Sequence, residues 1–508
     1  MFIVLVLLLV GQFIKDCTSS VWIGRVLQEP KCPAHECRLV KKCALLARKI
    51  KCLSLRNLQG AQCARGGNAV LNYRQKLKSL VLAAAISVPG PSVVMAQVPE
   101  QDVLAIWYRM TLELVRHTPT YTPPVASRTL AYIGIAAYEV VASGSDTMQS
   151  LAGQLNGLTP LPKREAGKIY DEAVVLHAAL ARMVTTSFAN TGPTGQRAMA
   201  SLQAKQQTKV ADGLAPDVVD RSESFGTALA DHIIAWSQTD GGAVIDNLGF
   251  PQTYTLTEGP AHWVPTSAIR LQQLPLLPNW GKNRPFAMPS GTACDLPPPL
   301  DYSEDPTSAF YAEAKEVFDT KKNLTPDQKA IARFWSDDAM LSSTPPGHWI
   351  AIALEIQQRD QSSIDQSVDQ LARLGIATAD AFIGVWNTKF QYDLLRPVTY
   401  IRRTMDPKWE SMMITPPFPE YPSGHSAQSG AAATVLTALL GDNFAFEDAA
   451  HADDGMPARK FANFWAAADE AGISRLYGGI HFRTAIERGL DQGRCVGSYT
   501  TALKTRSE

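Results

Sequence analysis

Two histidines, three cations and a bared stretch of backbone follow one another toward the end of the chain. Pro416, Pro417, Pro419 and Pro422 lead into Ser423-Gly424-His425, after which the residues become small and helix-compatible. Proline cannot continue a helix, so the approach is extended and stiff. A helix should therefore start at Ser423, a good capping residue, and run toward Leu440. Unpartnered N–H groups and the positive end of the helix dipole then meet at Ser423 and Gly424, an anion site in outline. His425 stands where it could exchange a proton with that anion. An ordinary capped helix fits the same stretch, and "MPSGTAC", residues 288 to 294, repeats Pro-Ser-Gly in what reads as a plain loop.

Two further pairs belong with this stretch. Lys389 and Arg396 are seven residues apart on what reads as one long helix ended at Pro397, so both point from one face. The plain alternative is a solvated surface with Lys389 paired to Asp393. Arg475 and His481 are six apart, and Gly478-Gly479 between them permits a break that brings both side chains to one point. The alternative there is a helix–loop–helix with a core histidine.

The elements that must position these residues are helical. "QDVLAIWYRMTLELVRH", "SRTLAYIGIAAYEVVASG", "GKIYDEAVVLHAALARMVTTSF" and "DRSESFGTALADHIIAWSQ" carry apolar residues at three- and four-residue spacing, and alternating strand patterns are nearly absent. The chain is expected to be all-α, with helical halves at 97–260 and 308–508. Between them lies a Pro-rich crossover, 261–307, within an irregular stretch from 240 that carries Trp263 and Trp280. "NLTPDQKAIARFWSDDAML" should open a helix capped by Thr325-Pro326.

Residues 1–96 look foreign to the rest. Six of the eight cysteines lie there, and His35 between Cys32 and Cys37 gives only a weak zinc signal. Residues 72 to 97 run from a basic stretch through an apolar core to small residues, the order of a signal peptide. The reading is a leader with a misplaced start, a signal peptide over 70–96, a mature chain from about Gln97, and export to periplasm or medium. The apolar stretch 2–14 is the rival targeting segment. No apolar run of membrane-spanning length follows residue 97. Lys+Arg and Asp+Glu both number 48, so nothing marks a nucleic-acid partner, and any anion must be drawn by local clustering of cations.

Lys389, six residues, Arg396-Pro397; Pro422-Ser423-Gly424-His425; Ser474-Arg475, five residues, His481: together these resemble the signature of the vanadium-dependent haloperoxidases and the acid phosphatases of the PAP2 superfamily. The resemblance covers most of the chain from about residue 98. It implies two packed four-helix bundles and one vanadate, without haem or flavin. Lys389, Arg396 and Arg475 would neutralise the oxygens, Ser423 and the Gly424 N–H would add hydrogen bonds, His481 would be the axial vanadium ligand, and His425 the acid/base. Hydrogen peroxide would oxidise bromide, and by the resemblance chloride too, to hypohalous acid that halogenates a small organic acceptor. Asp338, in "RFWSDDAML", would pair with Arg475, while Trp386 and Phe418 match a chloroperoxidase-type halide wall. One position departs: the aspartate often found four residues after the second histidine is Ala485, with Glu487 nearby, which leaves the orientation of His481 open. The alternative is a soluble acid phosphatase with His481 as nucleophile, and a third class is a non-catalytic oxyanion-binding helical protein. The remaining histidines (35, 117, 177, 232, 262, 348, 451) read as structural or surface, with His348 in "TPPGHW" a modest candidate.

Overall fold

A computed structural model describes residues 98–245, 253–267 and 273–507. The leader, its signal-peptide reading and the six leader cysteines lie outside the described residues. Thirteen α-helices of two turns or more, a four-residue helix at Gly242–Ile245, two 3-10 turns and one antiparallel pair of three-residue strands make up the regular structure among them, as the helical periodicity predicts.

The first group is α1 (Glu100–His117), α2 (Pro123–Gly144), α3 (Glu172–Ser187), α4 (Pro193–Ala211) and α5 (Pro216–Ser237). The second comprises α6 (Ala309–Lys322), α7 (Pro326–Phe334), α8 (Thr344–Asp360), α9 (Ile364–Tyr392), α10 (Pro397–Thr404), α11 (Gly424–Leu440), α12 (Phe464–Gly478) and α13 (Arg483–Thr501). Local signals start these helices where expected. Thr325 and Gln328 form a capping box on α7, and Ser363 and Gln366 another on α9.

The two groups share α9, which packs on α2 from one side and on α11 and α13 from the other. At the α2–α9 crossing the backbones touch: a Cβ on Gly134 would lie 3.0 Å from Ala372 Cα, and one on Gly375 would lie 2.9 Å from Ala131 Cα. Around that contact Leu130, Ile133, Leu371 and Leu374 are fully buried, each contributing about 1.5–3 kcal/mol of transfer free energy. Contrary to expectation, α2 has the length and mean hydropathy of a membrane span, but 94% of its apolar window is buried inside the protein.

The described crossover residues pack without long elements. Trp263 and Trp280 are buried, as their placement in a Pro-rich stretch suggests. Asp380 of α9 accepts the backbone N–H groups of Phe286, Ala287 and Met288 at 2.6–2.9 Å, and burial pushes its carboxyl up to about 6. Cys294 at the end of this segment is disulfide-bonded to Cys495 on α13.

One helix ends earlier than expected. α9 stops at Tyr392 and Asp393 turns left-handed (φ 50°), while Arg396 becomes the N-cap residue of α10. Lys389 and Arg396 are therefore not on one helical face; a turn brings them together. Asp393 faces His262 at 3.4 Å rather than Lys389.

Candidate active site

Three helix ends and one loop converge on the predicted residues. α11 begins at Gly424 with Ser423 as its cap, whose hydroxyl accepts the Ser426 N–H at 3.3 Å. The Gly424 and His425 amides, ahead of the first intrahelical acceptor, have no backbone partner among the described residues. Ser423 N–H donates to the Ala485 carbonyl at 2.9 Å, which fixes the start of α11 against α13. The two helices lie backbone to backbone, for a Cβ on Gly489 would be 2.7 Å from Ser423 O and one on Gly493 only 2.1 Å from Ala427 O. Gly424 differs: a Cβ there would meet only Phe382 and Trp386, at 3.7 and 3.9 Å. Its bare face borders a cavity of about 360 Å³ also lined by His425, Arg475 and His481.

Arg475, in the last turn of α12, donates to the Trp335 carbonyl at 2.5 Å, and the left-handed Gly479 (φ 76°) turns the chain so that His481 reaches the same cavity. This is the break expected at Gly478-Gly479. Arg396 donates from Nε to the Phe418 carbonyl and from Nη1 to the Ile480 carbonyl. Its Nη1 also lies 3.1 Å from His481 Nε2. Lys389 is wholly buried and donates to the carbonyls of Pro419, Glu420 and Pro422 at 2.9, 2.9 and 2.6 Å. The expectation that Lys389 points directly at the anion does not match this arrangement, because every ammonium N–H already has a carbonyl.

The electrostatics are those of a buried cation cluster. Burial pushes Arg396 down to about 9 and Arg475 to about 10, opposed by Glu420 and Asp338 respectively. Burial and then Arg396 hold Lys389 well below its ordinary value. Both histidines are held well below 6.5, His425 by burial and Arg475, His481 by burial and Arg396. They are therefore neutral at neutral pH. The Ser336 carbonyl takes one side of the His425 ring, leaving His425 Nε2 without a partner. Arg396 Nη2 and Arg475 Nε are also buried and unpartnered. Such atoms are destabilising unless something else supplies the missing hydrogen bonds; an oxyanion supplies acceptors for Arg396 Nη2 and Arg475 Nε, and a hydroxyl on it a donor for the lone pair of His425 Nε2. Vanadate fits this donor set.

Asp338 was expected to pair with Arg475. The carboxylate is half-buried and acts on Arg475 through space, yet no ion pair within 4 Å forms between them. Trp386 and Phe418 do meet, with ring centroids 4.9 Å apart, and Trp386 Nε1 donates to the Leu276 carbonyl. The Phe418 ring also takes the charges of Lys389 and Arg396 on its face, at 5.2 and 5.0 Å.

Glu420 escaped the sequence reading, and so did the partners of His348, itself a modest candidate there. Glu420 is fully buried, and its Oε1 accepts from His481 Nδ1 at 2.7 Å and from Phe482 N–H at 2.9 Å. It is the one acid in the Pro-rich approach, a signal available in the sequence. The second group lies behind His425. His348 sits between Asp337 (3.0 Å) and Asp448 (2.9 Å), and His451 Nε2 lies 3.1 Å from Asp337. Asp337, His348 and His451 have the types and closeness of metal ligands. Both His348 ring nitrogens, however, are engaged by carboxylates, which hold it protonated well above 6.5 against the opposing effect of burial. It has no lone pair free for a cation. The cluster is an ion-pair network anchoring the loop that carries the Trp335 and Ser336 carbonyls.

The family model for the VCPO second helical-bundle domain matches residues 370–507. A vanadium chloroperoxidase of Curvularia inaequalis is 25% identical over 417 residues, 69% of this chain and 67% of that protein. The crystal structure of a bacterial vanadium-dependent iodoperoxidase superposes with a TM-score of 0.73 at 37% identity, covering 80% of this chain and 97% of that one. A bacterial vanadium-dependent chloroperoxidase in its holo form shares the fold at TM-score 0.59 and 15% identity, covering 81% of this chain and 93% of that one.

Proposed function

The chain belongs to the vanadium-dependent haloperoxidase family, and from that premise we propose that it binds one vanadate at the start of α11 and oxidises halide with hydrogen peroxide. Bromide and iodide, the more easily oxidised halides, are the substrates, and the electrophilic halogen formed is passed to a small organic acceptor. The observation that carries this reading is a set of buried, unpartnered atoms: Arg475 Nε and His425 Nε2 on residues that line one cavity, and Nη2 of Arg396, whose Nη1 lies 3.1 Å from the His481 ring in that lining.

Bound vanadate supplies a Lewis-acid centre that makes hydrogen peroxide electrophilic toward halide. The protein's own groups do the rest. Arg396 and Arg475, with the Gly424 N–H and Ser423, hold oxyanion oxygens in a site preorganised by fold contacts. His481 offers a ring nitrogen as vanadium ligand, and Lys389 adds positive charge from beneath the Pro-rich loop. His425, neutral beside Arg475, would gain basicity once an anion offsets that charge, so its Nε2 would hold and hand on the proton of hydrogen peroxide.

Trp386, Phe418 and Phe382 keep water from the halide approach, which supports chloride as a third substrate to be tested. The cavity opens past Leu341 and Ile414, 67% and 76% exposed. That apolar mouth supports a neutral, apolar acceptor. The Cys294–Cys495 bond, together with the signal-like residues 72–97, supports export to an oxidising compartment.

Phosphate-ester hydrolysis is the second reading, and one observation favours it. The missing aspartate at 485 argues against a nucleophilic His481, but Glu420 supplies that imidazole with a carboxylate. One experiment separates the readings. Purified protein is loaded with orthovanadate and assayed with peroxide and each halide, by triiodide formation or by monochlorodimedone halogenation, with His481→Ala as control. Vanadate-dependent activity with iodide and bromide that vanishes in the variant is expected. Hydrolysis of p-nitrophenyl phosphate that vanadate suppresses, without halide oxidation, would replace this reading with the hydrolytic one.

A further inference from the structure

We infer that Glu420 is the positioning residue of His481, serving from the Pro-rich loop in place of the carboxylate that is absent at Ala485. The inference rests on the vanadate-site reading above. Its geometry is independent of that reading.

Glu420 is held from four directions. Its N–H donates to the Leu394 carbonyl at 2.9 Å, and its own carbonyl accepts from Lys389 Nζ. Its Oε1 accepts from both His481 Nδ1 and Phe482 N–H. One residue thus ties the Lys389–Arg396 segment, the approach to α11 and the His481 turn together. Burial raises the Glu420 carboxyl to about 7 against the pull of Arg396 and Lys389; in its ionised form it only accepts, and His481 Nδ1 then carries the proton. The lone pair is then on Nε2, the nitrogen facing Arg396 Nη1. That is the tautomer a ligand histidine needs, and a carboxylate on the far nitrogen is the usual device for enforcing it.

Position 485 cannot contribute. Ala485 ends at Cβ, and its backbone carbonyl is engaged by Ser423 N–H. Glu487, the other acid nearby in sequence, lies beside Arg483 at 4.0 Å and is 64% exposed at its side chain. Among the described residues His481 has no other carboxylate partner within 4 Å. Glu420 Oε2 is buried without a partner, so the carboxylate is committed to the imidazole through a single oxygen.

The test uses the full chain and two readouts. The first is vanadate affinity, by 51V NMR or titration calorimetry, of wild type, Glu420→Gln, Glu420→Ala and the double variant Glu420→Ala/Ala485→Asp. Glu420→Ala is expected to weaken vanadate binding by about 10–100-fold, Glu420→Gln by less, and Ala485→Asp to restore part of the loss. The second is the 15N spectrum of His481 without any ligand, assigned by difference from His481→Ala. Wild type should show the Nδ1–H tautomer and the Glu420 variants a mixture. Affinity within twofold of wild type in folded Glu420→Gln, an unchanged tautomer, or no recovery in the double variant would each overturn the inference. Failure of wild type to bind vanadate would instead overturn the haloperoxidase reading, leaving the tautomer measurement to decide the role of Glu420.

Discussion

Lys389 lies under the Pro-rich loop with its three N–H groups on three carbonyls. Lys389→Met would leave those carbonyls buried and unsatisfied, and is expected to lower the unfolding free energy by about 3–5 kcal/mol. Denaturant unfolding measures this, and vanadate affinity should fall with it. A lysine that merely reached for the anion would lose affinity with stability nearly unchanged. That Lys389, Arg396, Ser423, His425, Arg475 and His481 belong to one neighbourhood was legible from type and order, because cations, an N-cap and histidines are what oxyanion chemistry requires. Their partners were not. The three carbonyls on Lys389 and the carboxylate on His481 lie 30 to 61 residues away along the chain, and spacing says nothing about contacts that only tertiary folding creates.

Helix ends place the chemistry, and two glycines show opposite reasons for lacking a side chain. Gly493 sits in the α11–α13 seam, where a Cβ would be 2.1 Å from a backbone oxygen. Gly493→Ala must separate the helices, and should cost about 1–3 kcal/mol or more. Gly424→Ala meets only ordinary contacts at 3.7 and 3.9 Å. It is expected to unfold at a denaturant concentration close to wild type while binding vanadate at least about tenfold more weakly, because the methyl takes up ligand space. Equal affinity in Gly424→Ala would show that the oxyanion does not approach the start of α11. The start of α11 and the break at Gly479 were readable from Pro, Ser and Gly. The end of α9 was not, since an aspartate in the left-handed region carries no strong sequence signal; the structure sets that turn through the contacts of the loop beyond it.

At the scale of the whole chain, α9 serves both helical groups, and the crossover is tied back to it by Asp380. The Cys294–Cys495 bond closes a span of 201 residues that contains every proposed site residue. Closing so long a loop restricts the unfolded chain strongly, so Cys495→Ser is expected to lower stability by about 3–5 kcal/mol. Vanadate affinity of the native protein should stay within about twofold, because the bridge touches none of the site residues. Unchanged stability would mean that the bond does not form in the native protein. The helical architecture followed from periodicity, but this pairing could not be read from two isolated cysteines so far apart. The cavity wall has a different consequence. Among the described residues its lining contains neither methionine nor cysteine, the side chains that electrophilic oxidants consume first. Trp386, the one indole among the described lining residues, is only 1% exposed, whereas Met340 beside the rim is 45% exposed. If the proposed chemistry makes its corrosive reagent in this chamber, the described wall keeps vulnerable sulfur outside it, and wear during turnover would begin at the doorway.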